Sequence, residues 1–166
     1  MKVNIALLTV TDTRTFDNDK SGSILVDKIK ESNHNLLDRK ICKDNKDEIV
    51  SILKGWIIDE KIDVVITTGG TGLTGRDITP EALDEIADKH IVGFGEIFRN
   101  ISLKTVGTSA IQSRACAVLA NGKYVFASPG SSGGVTDAWE GILKHQLDIN
   151  HKPCNFVELF PRLKEK

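Results

Sequence analysis

The sequence predicts an α/β domain with a mainly parallel sheet and one antiparallel hairpin. Apolar runs of strand length, typical of strands buried on both faces, alternate with stretches whose apolar residues recur at helical spacing. Later in the chain two apolar runs flank Asn121-Gly122, a dipeptide that favours a two-residue hairpin turn. Together these patterns predict helices packed on a parallel sheet that ends in a hairpin.

The first strand and helix are predicted from the N-terminal segment. Residues 3–10 are almost continuously apolar. In the helix that follows, Leu25 and Ile29 lie one turn apart, and Ser21 is the candidate N-cap. Residues 36–42 then predict the second strand. These elements form one strand–helix–strand unit, which is the repeating unit of parallel sheets.

The second helix begins with Asn45 and Glu48, whose spacing is that of a capping box. Apolar residues then recur at i, i+3, i+4, i+7 and i+8, which predicts one continuous buried face. These residues are Ile49, Ile52, Leu53, Trp56 and Ile57. We therefore interpret Trp56 as core packing and not as a platform for a ligand.

The third strand, residues 62–67, leads into the most informative loop of the chain. This loop contains Gly69, Gly70, Thr71, Gly72, Gly75, Arg76 and Asp77. A helix start follows, with Thr79 as candidate N-cap, Pro80 at the first helical position and Glu81 in the first turn. Glycines let a backbone approach a ligand closely, and free backbone N–H groups hold anions. The loop therefore predicts a phosphate site, with Arg76 as countercharge.

Two better-known phosphate motifs overlap this loop, and both fit poorly. Residues 70–75 match G-x-G-x-x-G, but the helix does not start directly after the last glycine, and the nearest suitable acid, Glu96, has a helical context. The same glycines have Walker A spacing, but Arg76-Asp77 stands where that motif needs lysine and a hydroxyl. A nicotinamide-nucleotide site and a P-loop are therefore disfavoured. A glycine-rich connection without a ligand is the plainer alternative, and the charged pair argues against it.

The remaining elements continue the alternation. They are predicted at residues 79–87 and 94–101 (helices), 115–119 and 124–127 (strands) and 135–143 (helix). A second glycine loop, residues 128–134, precedes the last helix. The prediction is one domain, residues 1–149, followed by an extended C-terminal arm of the same domain, residues 150–166, which needs a neighbour to be ordered.

The composition restricts the class of protein. With 166 residues, of which 40% are hydrophobic and 27% charged, the chain is ordinary for a globular protein. Its net charge of −1 gives no electrostatic basis for binding nucleic acid. No apolar run approaches the length of a membrane span and no signal peptide is predicted, so we expect no membrane partner and a cytoplasmic location.

The cysteines and histidines indicate no metal or disulfide site. Cys42, Cys116 and Cys154 are widely separated and odd in number, which suits neither a disulfide framework nor a zinc site. We predict that the first two are buried and regard Cys154 as a candidate for exposure. The histidines show no ligand spacing and are interpreted as surface or structural residues.

Four loops follow the carboxyl ends of predicted parallel strands, where open α/β sheets bind their ligands. They contain Thr11-Asp12, Lys43-Asp44, the glycine loop after the third strand, and Ser128-Pro129-Gly130-Ser131. Asp44 and Asp77 are therefore predicted to face one pocket. Because Mg²⁺ is usually held by one or two carboxylates and substrate phosphates, this pair suggests magnesium, with Asp77 as its candidate ligand. The alternative for Asp44 is capping of the helix that follows.

Several motifs, in this order, resemble the signature of the MoaB/Mog family of molybdenum cofactor biosynthesis, the molybdopterin-binding domain. They are Thr11-Asp12, Asp19-Lys20-Ser21-Gly22, Thr68-Gly69-Gly70-Thr71-Gly72, Arg76-Asp77, Thr79-Pro80-Glu81-Ala82, Gly93-Phe94-Gly95-Glu96, Ser109-Ala110-Ile111-Gln112-Ser113-Arg114 and Pro129-Gly130-Ser131. The resemblance covers essentially the whole chain. The closing His151-Lys152-Pro153-Cys154-Asn155-Phe156 is similar to the MoaB branch in particular.

This resemblance implies a three-layer α/β/α fold, assembly into a trimer or hexamer, and binding of molybdopterin with ATP or GTP. In active members, ATP and molybdopterin give adenylylated molybdopterin and pyrophosphate, with Mg²⁺ required. The family's catalytic pair maps to Asp44 and Asp77; some MoaB-branch proteins are thought to have lost it and to bind the pterin only. The candidate ligand-binding residues are Thr11, Asp12, Ser21, Gly69, Gly70, Thr71, Gly72, Arg76, Thr79, Glu81, Glu96, Ser109, Ser113, Pro129, Gly130 and Ser131.

Three functions stay open at this point. Asp44 and Asp77 favour a molybdopterin adenylyltransferase, whereas the MoaB-like tail favours a carrier or scaffold that binds molybdopterin without turnover. A weak nucleotide hydrolase fits the same glycine loop and needs no pterin. Glu96, Ser109 and Ser113 are equally compatible with structural, capping or interface roles.

Overall fold

One mixed sheet forms the centre of the protein in the computed structural model, which describes residues 1–165. Its strands are β1 (Asn4–Val10), β2 (Asn35–Cys42), β3 (Val64–Thr68), β4 (Lys89–His90), β5 (Cys116–Ala120) and β6 (Lys123–Ser128). They lie in the order β2-β1-β3-β6-β5-β4. The pairs β2–β1, β1–β3 and β3–β6 are parallel, and β5 is antiparallel to its two neighbours, β6 and β4. The mainly parallel sheet and the hairpin are confirmed; the two-residue edge strand β4 was not predicted.

Helices follow the strands in the predicted alternation. They are α1 (Lys20–Glu31), α2 (Lys46–Ile58), α3 (Thr79–Ile86), α4 (Val92–Val106), α5 (Ser132–Ala138) and α6 (Lys144–Gln146). A 3₁₀ segment, Gly107–Gln112, continues α4. A π-helical turn, Trp139–Leu143, joins α5 to α6, so the last predicted helix is correctly located but irregular in its middle.

The helices cover both faces of the sheet and give the expected three layers. On one face α1, α4 and the segment from α5 onwards bury residues such as Leu25, Phe98 and Trp139. On the other face α2 and α3 bury residues such as Leu53 and Leu83. Each such side chain contributes about 1.5–3 kcal/mol when it is withdrawn from water, so the two apolar faces fix the layer order. The predicted stripe of α2, including the buried Trp56, is confirmed.

Two of the three predicted helix caps are wrong. The N-cap of α1 is Asp19, whose carboxylate accepts from the Gly22 N–H at 2.9 Å, while Ser21 lies in the first turn. Asp19 takes this role because its buried carboxylate also accepts from the Thr9 hydroxyl at 2.6 Å and from Arg39. Thr79 is already helical, and its hydroxyl donates to the Gly69 carbonyl oxygen at 2.9 Å instead of capping α3.

The cap of α2 and the hairpin turn are as predicted. The Asn45 side chain accepts from the Glu48 N–H at 3.0 Å. Asn121 and Gly122 have φ angles of 49° and 72°, which suit a two-residue hairpin turn with positive φ at both positions. Within residues 1–165, no helix is long and apolar enough to cross a membrane. Cys42 is buried and Cys154 exposed, as expected, while Cys116 is only partly buried.

The C-terminal segment packs on its own domain, so the prediction of an extended arm is wrong for residues 150–165. The Phe156 ring lies 4.6 Å from that of Tyr124 between centroids, and the Tyr124 hydroxyl donates to the Phe156 carbonyl oxygen. Val157–Arg162 forms a 3₁₀ turn in which Val157 is buried. The domain itself supplies the neighbour that orders this segment, since Phe156 packs on Tyr124 and Phe126 of β6. The last residue of the predicted arm, 166, lies outside the described residues.

Candidate functional site

A cleft of about 690 Å³ opens where the parallel strands β1, β2, β3 and β6 end. Its floor, which we call the glycine floor, consists of residues 69–72 after β3. On one side lies the acidic wall, formed by Asp44, Arg76 and Asp77 in the loops before α2 and α3. On the other side lies the α4 wall, formed by Phe98, Ser102, Thr105, Val106 and Asp137. The predicted convergence of the strand-end loops is therefore confirmed.

Glycine is required at the start of the floor. Gly69 has a φ of +100°, and a Cβ atom there would clash with the carbonyl oxygen of Val10 at the end of β1. Its N–H donates to the Ser128 carbonyl oxygen at 3.0 Å, and the Thr68 hydroxyl donates to the Pro129 carbonyl oxygen at 2.8 Å. These bonds fix the glycine floor against the loop after β6, because they join the ends of two adjacent parallel strands.

Both candidate catalytic acids lie directly over the glycine floor. A Cβ on Gly70 would meet Asp44 Oδ1 at 3.0 Å, and a Cβ on Gly72 would meet Asp77 Oδ2 at 2.7 Å. Asp77 therefore occupies the space that a side chain at Gly72 would fill, whereas at Gly70 the nearest atom is Thr79 Oγ1, and Asp44 lies next to it. The prediction that Asp44 and Asp77 face one pocket is confirmed by the cleft that both of them line.

Asp44 lies in a negative environment. Burial raises its pKa, as do the nearby carboxylates of Asp12 and Asp77, whereas the Arg76 guanidinium opposes them. Asp44 does not cap α2, since that role belongs to Asn45, so the structural alternative for this residue is wrong. A half-buried carboxylate next to two others favours a bound cation, because each negative charge costs free energy while it is uncompensated.

Asp77 has the opposite shift. Burial raises its pKa, but hydrogen bonds from the Thr74 hydroxyl at 2.7 Å and the Thr74 N–H at 2.9 Å outweigh that effect, and the pKa lies below its usual value. Asp77 is therefore ionised at neutral pH and held in one orientation. Thr74, which positions it, was not singled out from the sequence.

Arg76 is paired across the mouth of the cleft. Its Nε and Nη2 donate to the two carboxylate oxygens of Asp12 at 2.9 and 2.8 Å. The Arg76 guanidinium lowers the pKa of Asp12. Asp12 itself lies at the rim, and its Oδ1 also accepts from the Asp44 N–H at 3.2 Å. The predicted countercharge is thus present, but it is bound to a carboxylate of the same chain.

Arg114 connects the glycine floor to the acidic wall and was missed as a positioning residue. Its guanidinium donates to the Gly72 carbonyl oxygen at 2.7 Å and to the Asp77 carbonyl oxygen at 2.8 Å. A third contact is the ion pair with Glu81 on α3. The N–H of Arg114 also donates to the Thr71 carbonyl oxygen at 2.8 Å. One residue therefore holds the glycine floor at Thr71 and Gly72 and the backbone of Asp77 itself.

Most of the predicted site residues line the cleft. They are Thr11, Asp44, Gly69, Gly70, Thr71, Gly72, Arg76, Asp77, Ser109, Ser113, Pro129, Gly130 and Ser131. Five predicted ligand-binding residues do not, and Asp12 at the rim is one of them. Ser21 accepts from Arg14, Thr79 is buried against Gly69, and Glu81 is paired with Arg114. Glu96 is exposed on α4 and outside the cleft.

The α4 wall is what the sequence-based prediction overlooked. Arg14 donates to the Gly130 carbonyl oxygen at 2.9 Å and lines the cleft beside it. Thr105 and Asp137, which are far apart in the chain, meet with Oγ1 and Oδ2 3.0 Å apart. No sequence motif connects Thr105 with Asp137, since the packing of α5 on α1 and on α4 brings them together at the cleft.

Comparison with known proteins places the chain among molybdenum cofactor proteins. The family described as "Probable molybdopterin binding domain" matches residues 6–149. Molybdenum cofactor biosynthesis protein B of Escherichia coli (strain K12) is 44% identical over 161 residues, which are 97% of this chain and 93% of that protein. The protein of the same name from Bacillus cereus is 44% identical over 147 residues, 88% of this chain and 87% of its own.

Solved structures agree in fold. A crystal structure of molybdenum cofactor biosynthesis protein B superposes with a TM-score of 0.89 at 39% identity, covering 100% of this chain and 98% of that one. The tungsten cofactor synthesizing protein MoaB from Pyrococcus furiosus gives a TM-score of 0.75 at 34% identity, covering 84% and 89%. The Mog protein from Mycobacterium ulcerans, at 23% identity and a TM-score of 0.79 over 100% of both chains, shares the fold.

Proposed function

Because the chain belongs to the molybdopterin-binding domain family of molybdenum cofactor biosynthesis, we propose that it binds molybdopterin and ATP and adenylylates the pterin. The observation that carries this proposal is the position of two carboxylates, Asp44 and Asp77, directly over the glycine floor. A carrier that only binds a phosphorylated pterin needs backbone N–H groups and cations. Two acids over a phosphate site are unfavourable for binding alone, and they are useful if a cation and a transferring phosphoryl group lie between them.

The proposed reaction transfers the adenylyl group directly between the two substrates, so the protein forms no covalent bond in it. An oxygen of the pterin's terminal phosphate attacks the α-phosphorus of ATP, the α–β phosphoanhydride bond breaks, and pyrophosphate leaves. The glycine floor, apart from the Gly69 N–H that already donates to Ser128, and the loop of Pro129, Gly130 and Ser131 would hold the phosphates in line, while Arg76 would neutralise charge on the leaving group. Catalysis of this kind comes mainly from positioning and electrostatic stabilisation.

The residues present fit Mg²⁺. Within residues 1–165 no cluster of three or more carboxylate, imidazole or thiol groups could enclose a metal. Asp44 and Asp77 nevertheless provide the one or two carboxylates with which proteins usually hold Mg²⁺, together with substrate phosphates. Bound there, the ion would neutralise phosphate charge. Asp77 is the stronger candidate ligand, because hydrogen bonds from Thr74 keep it ionised and oriented.

The decisive experiment measures pyrophosphate release from purified protein supplied with ATP, molybdopterin and Mg²⁺. We expect Asp77→Asn to lower the rate by about 100-fold or more, since it removes charge where it is needed and leaves the shape unchanged. Asp27→Asn is the matched control, because Asp27 is an exposed acid on α1 away from the cleft. GTP in place of ATP tests the nucleotide preference.

Other outcomes would identify the competing functions. Tight binding of molybdopterin without any pyrophosphate release by the wild-type protein would contradict adenylylation and support a carrier or scaffold. Phosphate release that does not depend on the pterin would instead support a nucleotide hydrolase. An undiminished rate in Asp77→Asn would remove this residue from the catalytic machinery.

We also propose that the protein self-associates. Along α4 and its 3₁₀ continuation several large apolar side chains are exposed, and such surfaces favour burial against another chain. They are Val92, Ile97, Leu103 and Ile111, with exposures from 51% to 82%. Sedimentation equilibrium would distinguish a trimer from a hexamer. We expect Ile111→Glu to shift the distribution towards monomer, and an unchanged distribution would exclude this part of the surface.

A further inference from the structure

The α4 wall carries a carboxylate that adenylylation does not use. Asp137 lies on α5, is partly buried and lines the cleft on the side away from Asp44 and Asp77. Asp44 and Asp77 precede α2 and α3, which cover one face of the sheet, whereas α5, which carries Asp137, covers the other face. The glycine floor therefore lies between Asp137 and the other two acids. Asp137 therefore lies outside the residues proposed for adenylylation and faces another part of the cleft.

The carboxylate of Asp137 has unused acceptor capacity. Its Oδ2 lies 3.0 Å from the Thr105 hydroxyl, but that hydroxyl is also 3.0 Å from the Ser102 carbonyl oxygen. One hydroxyl proton is thus shared between two acceptors. Within residues 1–165 no other group donates a hydrogen bond to Asp137, and no cation pairs with it.

Apolar surface adjoins this carboxylate. Val106, which lines the cleft on the same wall, is 53% exposed, and Phe98 and Ala110 are buried in this wall. A flat heterocycle with polar groups along one edge suits such a place, because its faces contact apolar side chains while the edge reaches the carboxylate. Pterins are heterocycles of this shape.

We propose that Asp137 recognises the 2-amino-4-oxopyrimidine edge of the pterin and so determines which heterocycle this side of the cleft accepts. That edge presents a ring N–H and an amino group side by side. A carboxylate can accept from both, in the manner of its bidentate pairing with arginine. The inference rests on the pterin-binding part of the proposed function.

A carboxylate at this position would disfavour adenine and accept guanine. Adenine presents an amino group next to a ring nitrogen that is an acceptor, so a carboxylate would gain one hydrogen bond and repel the neighbouring lone pair. Guanine presents the same N–H and amino pair as a pterin. The recognised group is therefore shared by pterins and guanine nucleotides, and the experiment must separate these two sources.

The experiment compares two stable ligands in direct binding assays. The first is neopterin monophosphate, and the second is the corresponding 2,4-dioxopteridine, in which oxygen replaces the amino group. We expect the wild-type protein to prefer the pterin by about tenfold, the usual value of a charge-assisted hydrogen bond at a partly exposed site. Asp137→Asn should abolish most of this preference, while the control Asp27→Asn should retain it.

Competition by GMP and AMP shows whether Asp137 recognises a pterin or a guanine nucleotide. Loss of the pterin preference in Asp137→Asn, with little change for GMP, supports the proposal. A variant that loses GMP affinity but keeps the pterin preference would overturn it in favour of a guanine site. An unchanged preference for both would also overturn it.

The two proposals fail in different ways. If wild-type protein releases pyrophosphate with molybdopterin while Asp137→Asn keeps its pterin preference, only the inference about Asp137 is wrong. If the preference depends on Asp137 but no pyrophosphate is released, adenylylation is wrong and heterocycle recognition stands. Failure of the wild-type protein to bind neopterin monophosphate would overturn the inference together with the pterin-binding function.

Discussion

The acidic wall and the α4 wall face each other across the same cleft, yet they are assembled differently. Asp44 follows β2 almost directly and Asp77 ends the loop that follows β3, so both belong to loops at the carboxyl edge of the sheet. Thr105 and Asp137 lie in helices and reach the cleft only because α4 and α5 pack together. The comparison shows that acids attached to strand ends can be located from the sequence, whereas a wall built by helix packing cannot.

The electrostatic character of the walls differs as well. The acidic wall contains an ion pair, a raised pKa at Asp44 and a lowered pKa at Asp77, so its charges interact strongly with one another. The α4 wall combines one carboxylate with hydroxyl groups and apolar surface. We therefore expect changes in the acidic wall to affect phosphate chemistry and changes in the α4 wall to affect ligand selection. Four predictions test the glycine floor and the acidic wall, and Asp137→Asn tests the α4 wall.

The largest effect on stability is expected at the glycine floor, which lies between the two walls. Gly69→Ala should lower the free energy of unfolding by about 3 kcal/mol or more, because the residue has positive φ and its Cβ would meet the Val10 carbonyl. Gly75→Ala is the matched control, since a Cβ there has open space around it. Urea denaturation measures both. Equal stability of the two variants would show that the floor adapts and does not define the cleft.

The next effect concerns the connection between the floor and the acidic wall. Arg114→Met should cost about 2 kcal/mol, because it leaves the Gly72 and Asp77 carbonyls and the Glu81 carboxylate without their partner. Turnover should fall about tenfold more than ATP affinity, since Asp77 is displaced. Arg162→Met, which loses only an exposed pair with Glu165, is the control. A turnover loss no larger than that of the control would contradict the positioning role.

A smaller effect is expected at the rim of the acidic wall. Asp12→Asn should raise affinity for ATP about threefold, because it releases Arg76 for a phosphate, while the stability of the fold hardly changes, since exposed ion pairs contribute little to it. Arg76→Ala should lower the affinity. Titrations at low and high salt check the cause, since the difference must shrink as salt screens the charges. Identical affinities for Asp12→Asn and wild type would mean that the pair does not compete with the ligand.

The smallest effect is a gain of stability at Asp44. Its folded-state pKa is raised, so the native state binds the proton more tightly than the unfolded chain does, and the carboxylate costs stability at neutral pH. Asp44→Asn should therefore raise the Tm by about 1–2 °C at pH 7, and the gain should vanish below about pH 4, near the unfolded-state pKa. Thermal melts across this range measure it. A lower Tm at pH 7 would contradict the raised pKa.

Several elements could be predicted because short-range patterns decide them. The buried runs of β1 and β3, the stripe of α2 around Trp56 and the Asn121-Gly122 turn depend on neighbours in the sequence. The caps of α1 and α3 could not. Asp19 outcompetes Ser21 because Thr9 and Arg39, which belong to other elements, also bind its carboxylate. Thr79 is diverted to the carbonyl of Gly69 in the same way.

The sequence by itself determined the mainly parallel sheet with its hairpin, the loops at the strand ends and the meeting of Asp44 with Asp77, because alternation of strands and helices places those loops at one edge of the sheet. Only the tertiary structure decided that Arg114 holds the floor, that Arg76 is paired with Asp12, and that Asp137 faces the cleft. It also decided that the C-terminal segment covers Tyr124 and is not an extended arm. Each of these depends on contacts between side chains distant in sequence, whose geometry is set by packing and not by spacing along the chain.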